Sequence, residues 1–416
     1  CSAILLLFAV GFCAMSRHVP QAGAFYAYVE RGLGRPPGLG AAFLALVTYT
    51  TVQLAVYGYI GAVLAELVQH WGGPALPWWL CAIVGTLGYR HIELSGRVLG
   101  VLLIAEVAIV LVMDAVVVAT GGGSVEGLST AFLHPGEVFS GGLGIALMFA
   151  IASFIGFEAT AVFRDEARDP LRTVPRATYT ALLVIGAFYT LSSWAVVSVW
   201  GDAAAVEQAS ADPGTMLITT ITKVLGTAAG DIAEVLLVTS MFAAILSFHN
   251  VLARYFFALG NSGALPEACG RSHPRHTSPH IASLTQTGTA LVLIAVFALA
   301  GMDPVTQVFA WMAGTATLGV LALMALTCAA VIVFFRRTRV DTRPWHTLAA
   351  PLAGLAGLLV CLWLTISNFP TLIGGSPTLA TAIGAVLVAA FVIGAVWSRR
   401  TAPSAGPVPA AERSRT

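Results

Sequence analysis

Long apolar runs alternate with short polar connections along almost the whole chain. A helix needs about 20 apolar residues to cross a bilayer, with a range of about 17–25. Strands of membrane barrels are only about 10 residues long and alternate strictly, so the long runs exclude a barrel. The pattern therefore predicts an all-α integral membrane protein. Its eleven candidate spans, two of them short, are 2–14, 38–68, 76–89, 98–119, 141–163, 178–200, 232–259, 281–300, 305–335, 348–369 and 379–397.

The composition agrees with a lipid-facing surface. The 416 residues are 57% hydrophobic and 10% charged, whereas a soluble domain carries about 25% charged residues. The sequence has no basic domain or stripe, which excludes nucleic-acid binding. Its six cysteines form no CxxC pair, and no HExxH motif occurs, so we expect no cofactor, metal site or disulfide framework.

The distribution of charge predicts the orientation. We place the connection 15–37 in the cytoplasm and let the chain cross the membrane once at each later candidate span. Of the 21 Lys and Arg residues, only Lys223 then falls on the outer side. Short cytoplasmic loops are enriched in Lys and Arg, and one missed or invented span would scatter these charges over both faces. The pattern therefore predicts a cytoplasmic C-terminal tail at 401–416, which is Pro/Ala/Ser-rich and expected to be disordered.

The segment 148–177 offers the most chemistry. It places Gly156 and Glu158 inside an apolar run. A charge at that depth is costly unless it faces a polar cavity or a partner, and unwound backbone persists there only where it lines a cavity or is buried in protein. A broken helix would present carbonyls to an ammonium group and a positive helix end to a carboxylate. The alternative is a glycine notch for helix packing beside a glutamate satisfied by a neighbouring helix.

Four motifs in matching order carry a resemblance to a known family. The first consists of Phe154, Gly156, Phe157, Glu158, Asp165, Glu166, Asp169, Pro170, Val174, Pro175, Arg176 and Ala177. The second consists of Pro20, Ala22, Gly23, Tyr26, Tyr28, Val29 and Gly34, the third is the segment 254–266, and the fourth consists of Asp303, Pro304 and Trp311. The chain thus resembles, over essentially its whole length, a permease of the amino acid–polyamine–organocation (APC) superfamily.

The resemblance implies a LeuT-like bundle of two inverted five-helix repeats with two further spans. Eleven of the expected twelve spans would then be present, with the first span preceding residue 1 and carrying half of the substrate site. Residues 1–400 would form the permease domain. The implied protein is no enzyme. It is a secondary active transporter of amino acids or related amines in the bacterial plasma membrane, working by alternating access with proton coupling, sodium coupling or exchange. The alternative is a non-transporting sensor or a channel with the same bundle.

The family binds its substrate between the broken first and sixth helices, which assigns roles to the equivalent positions here. Backbone carbonyls would be offered to the substrate amine, and two further residues would shape the helix break. The expected substrate-binding residues are Ile151, Ala152, Ser153, Phe154 and Gly156. An aromatic pair that often precedes this motif in the family is replaced here by Ile151 and Ala152.

Ionisable residues within or near the apolar runs are candidates for coupling. The resemblance favours Glu158, which would connect the substrate site to the cytoplasmic side by hydrogen bonding or protonation. Glu106, Asp114 and Glu234 are alternative proton relays or plain packing residues. His249 lies near the inner end of its span and is able to titrate near neutrality.

Overall fold

A computed structural model describes residues 1–19, 24–70, 72–88, 96–139, 142–162, 167–211, 213–271 and 279–399. This part of the chain is helical and contains no strand, which confirms the all-α prediction. The α-helices are α1 (Ser2–Ser16), α2 (Ala24–Leu33), α3 (Arg35–His70), α4 (Trp78–Gly88), α5 (Gly96–Thr120), α6 (Pro135–Val138), α7 (Leu143–Ala152), α8 (Ala159–Val162), α9 (Pro170–Trp200), α10 (Asp202–Ala211), α11 (Met216–Leu225), α12 (Thr227–Asn261), α13 (His280–Leu299), α14 (Ala310–Thr338), α15 (Ala350–Leu372) and α16 (Pro377–Trp397). A π-helical turn, Pro304–Phe309, leads into α14, and another, Trp345–Ala349, leads into α15.

Within the described residues, eight helices are long and apolar enough to cross a membrane. They are α3, α5, α9, α12, α13, α14, α15 and α16. The other three predicted stretches coincide with helices that lack this length: α1 has 15 residues, α4 has 11, and the stretch 141–163 is divided between α7 and α8. Each apolar run is therefore helical, while the count of eleven crossings remains a prediction.

Two helices form the centre of the bundle. In their most apolar windows, 67% of the residues of α3 and 72% of those of α14 are buried, against 17% for α16 and 22% for α5. The main core cluster draws on α1, α2, α3 and α14 and includes the stacked rings of Phe8 and Phe12, whose centroids are 5.3 Å apart. Helices α5 and α16 therefore lie at the periphery, where their exposed apolar side chains suit contact with lipid.

Helix α2 packs tightly against the central helix α14. A Cβ atom at Gly32 would overlap the backbone carbonyl of Ala330, so glycine is required for this approach. Small residues of this kind allow membrane helices to pack backbone to backbone. Helix α2 thereby closes over one end of α3 and α14.

Four α-helices lie outside the predicted apolar runs. The short helix α2 lies in the connection 15–37, the four-residue α6 lies between α5 and α7, and α10 and α11 lie between α9 and α12. Helix α10, with the sequence DAAAVEQASA, is too polar to be recognised as an apolar run, although its alanines favour a helix. The proposed tail, 401–416, and the motif residues Pro20, Ala22, Gly23, Asp165 and Glu166 lie outside the described residues.

Candidate functional site

The stretch 141–163 contains an interrupted helix. Helix α7 ends at Ala152 and α8 begins at Ala159, with successive turns between them. Gly156 has a φ of +114°, which is accessible to glycine and strained for other residues. A Cβ atom at this glycine would meet nothing within 4 Å. The packing-notch interpretation of Gly156 is therefore wrong, because the glycine is needed for its backbone conformation.

The backbone carbonyls at the break are partly occupied. The carbonyls of Ile151 and Ala152 accept the amides of Phe154 and Ile155 at 3.0 and 3.1 Å. Each of these carbonyls keeps a second lone pair. The hydroxyl of Ser153 donates to the carbonyl of Ala150 at 2.8 Å, and this side chain is exposed. The backbone therefore forms tight turns at the break. The carbonyl oxygens of the predicted substrate-binding residues Ile151 and Ala152 are still able to accept a further hydrogen bond.

Glu158 is buried and held at both carboxylate oxygens. The hydroxyl of Tyr49, on α3, donates to Oε1 at 2.7 Å, and the backbone amide of Gly156 donates to Oε2 at 3.0 Å. The side chain of Glu158 is 1% exposed. These contacts agree with the part of the alternative interpretation in which a neighbouring helix satisfies the glutamate, and they join the helix break to α3.

Aromatic rings surround this carboxylate. Phe157 makes edge contacts with Phe8 and Phe12 of α1, with ring centroids 6.0 and 6.5 Å apart. On the other side, the ring of Tyr49 lies 5.6 Å from that of Tyr255 on α12. Burial among such groups lowers the local dielectric constant, which makes the polar contacts of Glu158 electrostatically stronger. Movement of α7 or α8 must therefore disturb contacts with α1 and α3 together.

A cavity of about 1290 Å³ borders the break. It is lined by Ser153 and Phe154 at the break, by the beginning of α1, and by one face of α9 that includes Thr190 and Ser193. Among the described residues, the side chains that line it carry no formal charge. Of the predicted site residues, Ser153 and Phe154 border this space, while Ile151 and Glu158 are buried in the core.

The other ionisable candidates lie apart from the break. Glu106 is half-buried and interacts with Ser240 of α12. Asp114 is buried, and its Oδ2 accepts the Ser192 hydroxyl at 2.7 Å. The structure therefore separates these carboxyl groups of α5 from Glu158.

Glu234 and His249 both belong to α12. Glu234 interacts electrostatically with Glu66 and His70 of α3. His249 is buried, and its Nε2 lies 2.8 Å from the Ser283 hydroxyl of α13. The contacts of Glu234 thus lead to α3, and the contact of His249 with Ser283 leads to α13.

The remaining motifs mark the ends of helices. Asp169 occupies the N-cap position of α9, and Pro170 is its first residue. Gly34, with a φ of +98°, separates α2 from α3. Asp303 caps the π-helical turn before α14 by accepting the amides of Val305 and Thr306 at 3.0 and 2.7 Å. These motifs therefore stabilise the bundle around the site.

These features define a multi-pass helical membrane protein with a broken helix and a buried carboxyl group at its core. A family model described as amino acid permease matches residues 1–402. A probable GABA permease of Pseudomonas aeruginosa is 24% identical over 82% of this chain and 74% of its own length. A branched-chain amino acid permease of Bacillus subtilis is 22% identical over 88% of this chain and 81% of its own length.

A low-affinity putrescine importer of Escherichia coli K12 is 22% identical over 70% of this chain, which spans only 64% of that relative's length. Because the family model covers nearly the whole chain, the chain belongs to the amino acid permease family. This membership confirms the APC resemblance. The names of the family and its relatives are those of permeases, not of enzymes.

Proposed function

We propose that this permease is a secondary active transporter that carries an amino acid or a related amine across the bacterial plasma membrane. The names of its relatives include a GABA permease, a putrescine importer, a branched-chain amino acid permease and a serine/threonine exchanger. These substrates differ in size and charge, but each bears an amino group. Recognition of an ammonium group is therefore the requirement that they share.

The helix break supplies the groups that such recognition needs. An ammonium group donates three hydrogen bonds, and carbonyls near Ile151, Ala152 and Ser153 retain acceptor capacity. Phe154 and Gly156 set the shape of the break. The observation that carries this proposal is a broken helix in which the buried Glu158 accepts two hydrogen bonds.

Glu158 is proposed as the coupling residue. Its two hydrogen bonds connect the break to α3, one of the most buried helices. A change between outward-facing and inward-facing states that moves α7 and α8 must alter these bonds. This arrangement supports the proposal of alternating access in a LeuT-like repeat, with proton coupling or exchange. Burial of the carboxyl group makes its protonation depend on the conformation.

The lining of the cavity favours a substrate without a net charge. The polar side chains that border it in the described part of the chain are uncharged, such as those of Ser153, Thr190 and Ser193. An unpaired charge is costly at this depth. We therefore expect zwitterions such as GABA or leucine to compete better than putrescine, which has two positive charges.

The test is uptake into liposomes that contain the purified protein. Radiolabelled GABA, leucine and putrescine serve as probes, with an imposed proton gradient, an imposed sodium gradient or unlabelled probe inside. We expect accumulation of a zwitterionic probe that depends on one of these conditions and is absent from protein-free liposomes. Binding without uptake would instead favour a sensor, and uptake that ignores every gradient and every internal substrate would favour a channel.

A further inference from the structure

Asp114 lies in a small apolar cluster away from the helix break. The cluster joins α5 to α9, α11 and α12 through Met113, Val117, Val199 and Ile221. Asp114 is only 2% exposed. A carboxyl group in such surroundings must be paired, bound to a cation or protonated, because an isolated buried charge is very costly.

The contacts of Asp114 satisfy only one of its oxygens. Oδ2 accepts the hydroxyl of Ser192 at 2.7 Å. Oδ1 is buried and has no hydrogen-bond partner among the described residues. One neutral hydroxyl is weak compensation for a full negative charge, whereas it is adequate for a neutral carboxylic acid. The geometry therefore suits the protonated form.

The titratable groups on the outer parts of the packed helices are engaged elsewhere. Lys223 of α11 lies over the Trp200 ring, 4.1 Å from its centroid, and contacts the carbonyl of Val199 at 3.3 Å. Glu234 of α12 interacts with Asp231 of the same helix as well as with groups of α3. None of these side chains supplies the missing partner of Asp114.

The groups nearer the middle and the cytoplasmic side are engaged in the same way. Glu106 of α5 interacts with Ser240 and with Tyr189 of α9. On α9, Tyr179 interacts with Arg17, and Arg172 pairs with Asp169 at 3.7 Å. Arg176, on the first turns of α9, lies four turns of helix from Ser192.

On α12, the groups nearer the cytoplasmic side have contacts of their own. His249 contacts Ser283, and the ring of Tyr255 packs at an angle against the rings of Tyr26 and Tyr49. Ser240 is the residue of α12 that interacts with Glu106 of α5. Arg254 follows it by about 14 residues along the helix, which corresponds to roughly 20 Å at about 1.5 Å per residue. Among the described residues, Ser192 is thus the hydrogen-bond partner of Asp114, within an otherwise apolar cluster.

Helix α9 connects this site to the cavity. One of its faces, with Gly186, Thr190 and Ser193, lines the cavity beside the break. Another face carries Ser192 against Asp114, together with Ala195 and Val199 of the apolar cluster. A rotation or shift of α9 that changes the cavity must therefore change the contact with Asp114.

We propose that Asp114 is a second proton-binding site of this permease, separate from Glu158, and that it holds its proton while α9 packs against α5. When this contact opens, water reaches the carboxyl group and accepts the proton, leaving the carboxylate hydrated. By linkage, a substrate that favours one position of α9 changes the proton affinity of Asp114, and the proton changes the substrate affinity by the same factor. The use of this proton in transport rests on the proposed function, whereas its binding does not.

The test is infrared spectroscopy of the purified permease in lipid, with measurement of the carbonyl stretch of protonated carboxylic acids. We expect one component that persists from acidic to alkaline buffer, disappears completely in Asp114→Asn and survives in Glu158→Gln. In Ser192→Ala, which leaves the carboxyl group in place, the component should remain but shift in frequency. Thermal unfolding of each variant shows whether it is folded.

Three results would overturn the proposal. A spectrum of folded Asp114→Asn equal to that of the original protein would show that Asp114 is ionised. An unshifted component in Ser192→Ala would show that it arises elsewhere. If the infrared component of the original protein disappears when sodium chloride replaces choline chloride at constant pH, Asp114 belongs to a sodium site. Since none of these readings needs transport, a protein that shows the component but moves no probe contradicts only the proposed function.

Discussion

Tyr49 and Glu158 are 109 residues apart in sequence, and the tyrosine hydroxyl donates a hydrogen bond of 2.7 Å to the glutamate Oε1 in the core of the bundle. This contact links the central helix α3 to the second half of a broken helix. The backbone amide of Gly156 holds the other carboxylate oxygen. The position of Glu158 therefore depends on one residue of α3 and on the conformation of the break itself.

Tyr49→Phe removes a donor and leaves Oε1 buried without its partner. A buried group left unsatisfied costs about 1–3 kcal/mol, so we expect a lower Tm in thermal unfolding. Tyr179→Phe is a matched control, because the half-buried Tyr179 hydroxyl makes no hydrogen bond among the described residues. Equal Tm values for the two variants would contradict the importance of the contact.

Gly156→Ala tests the backbone of the break. The φ of +114° disfavours any side chain, and holding a non-glycine residue in such a region costs about 1–3 kcal/mol. We expect loss of stability and of probe uptake, although the added methyl group meets no atom within 4 Å. Gly288→Ala is the control, because its Cβ also meets open space but its φ is negative. If the Gly156 variant behaves like this control, the break needs no glycine.

Gln53 and Gln286 form a buried polar pair between α3 and α13. The Gln286 amide donates to Oε1 of Gln53 at 2.5 Å, and Gln53 donates to the Tyr57 hydroxyl at 2.9 Å. Gln286→Leu should cost about 1–3 kcal/mol, because Gln53 then loses its donor. In the double variant with Gln53→Leu the losses should be less than additive, with a coupling of about 0.6 kcal/mol as in other membrane proteins. Strict additivity of the unfolding free energies would show that the pair does not interact.

The orientation predicted from charge is open to chemical labelling. Ser210 on α10 and Thr342 after α14 are exposed, and three long helices, α12, α13 and α14, separate them. A membrane-impermeant maleimide should label Ser210→Cys in intact cells and Thr342→Cys only after permeabilisation. Five of the six native cysteines are buried, which limits background labelling. Labelling of Thr342→Cys in intact cells would refute the orientation.

The sequence predicted the helices well and their contacts poorly. Apolar runs locate the spans because a bilayer demands about 20 apolar residues in each. Gly156 indicated the break because few other residues adopt its conformation. Hydropathy holds no information on which helix faces meet, so Tyr49 was not found as the partner of Glu158. The pairing of Asp114 with Ser192 was missed for the same reason.

The central claim is that Glu158 couples the substrate site to the rest of the transporter, and Glu158→Gln tests it most directly. Glutamine keeps the shape but cannot ionise, so the variant should insert and fold. A hydrogen bond to a charged group is worth about 1.5–3 kcal/mol, and about 1.4 kcal/mol corresponds to a tenfold change. For a zwitterionic probe that the original protein carries, we predict uptake at least about tenfold slower, with little dependence on pH. Uptake equal to that of the original protein at every pH would contradict the account.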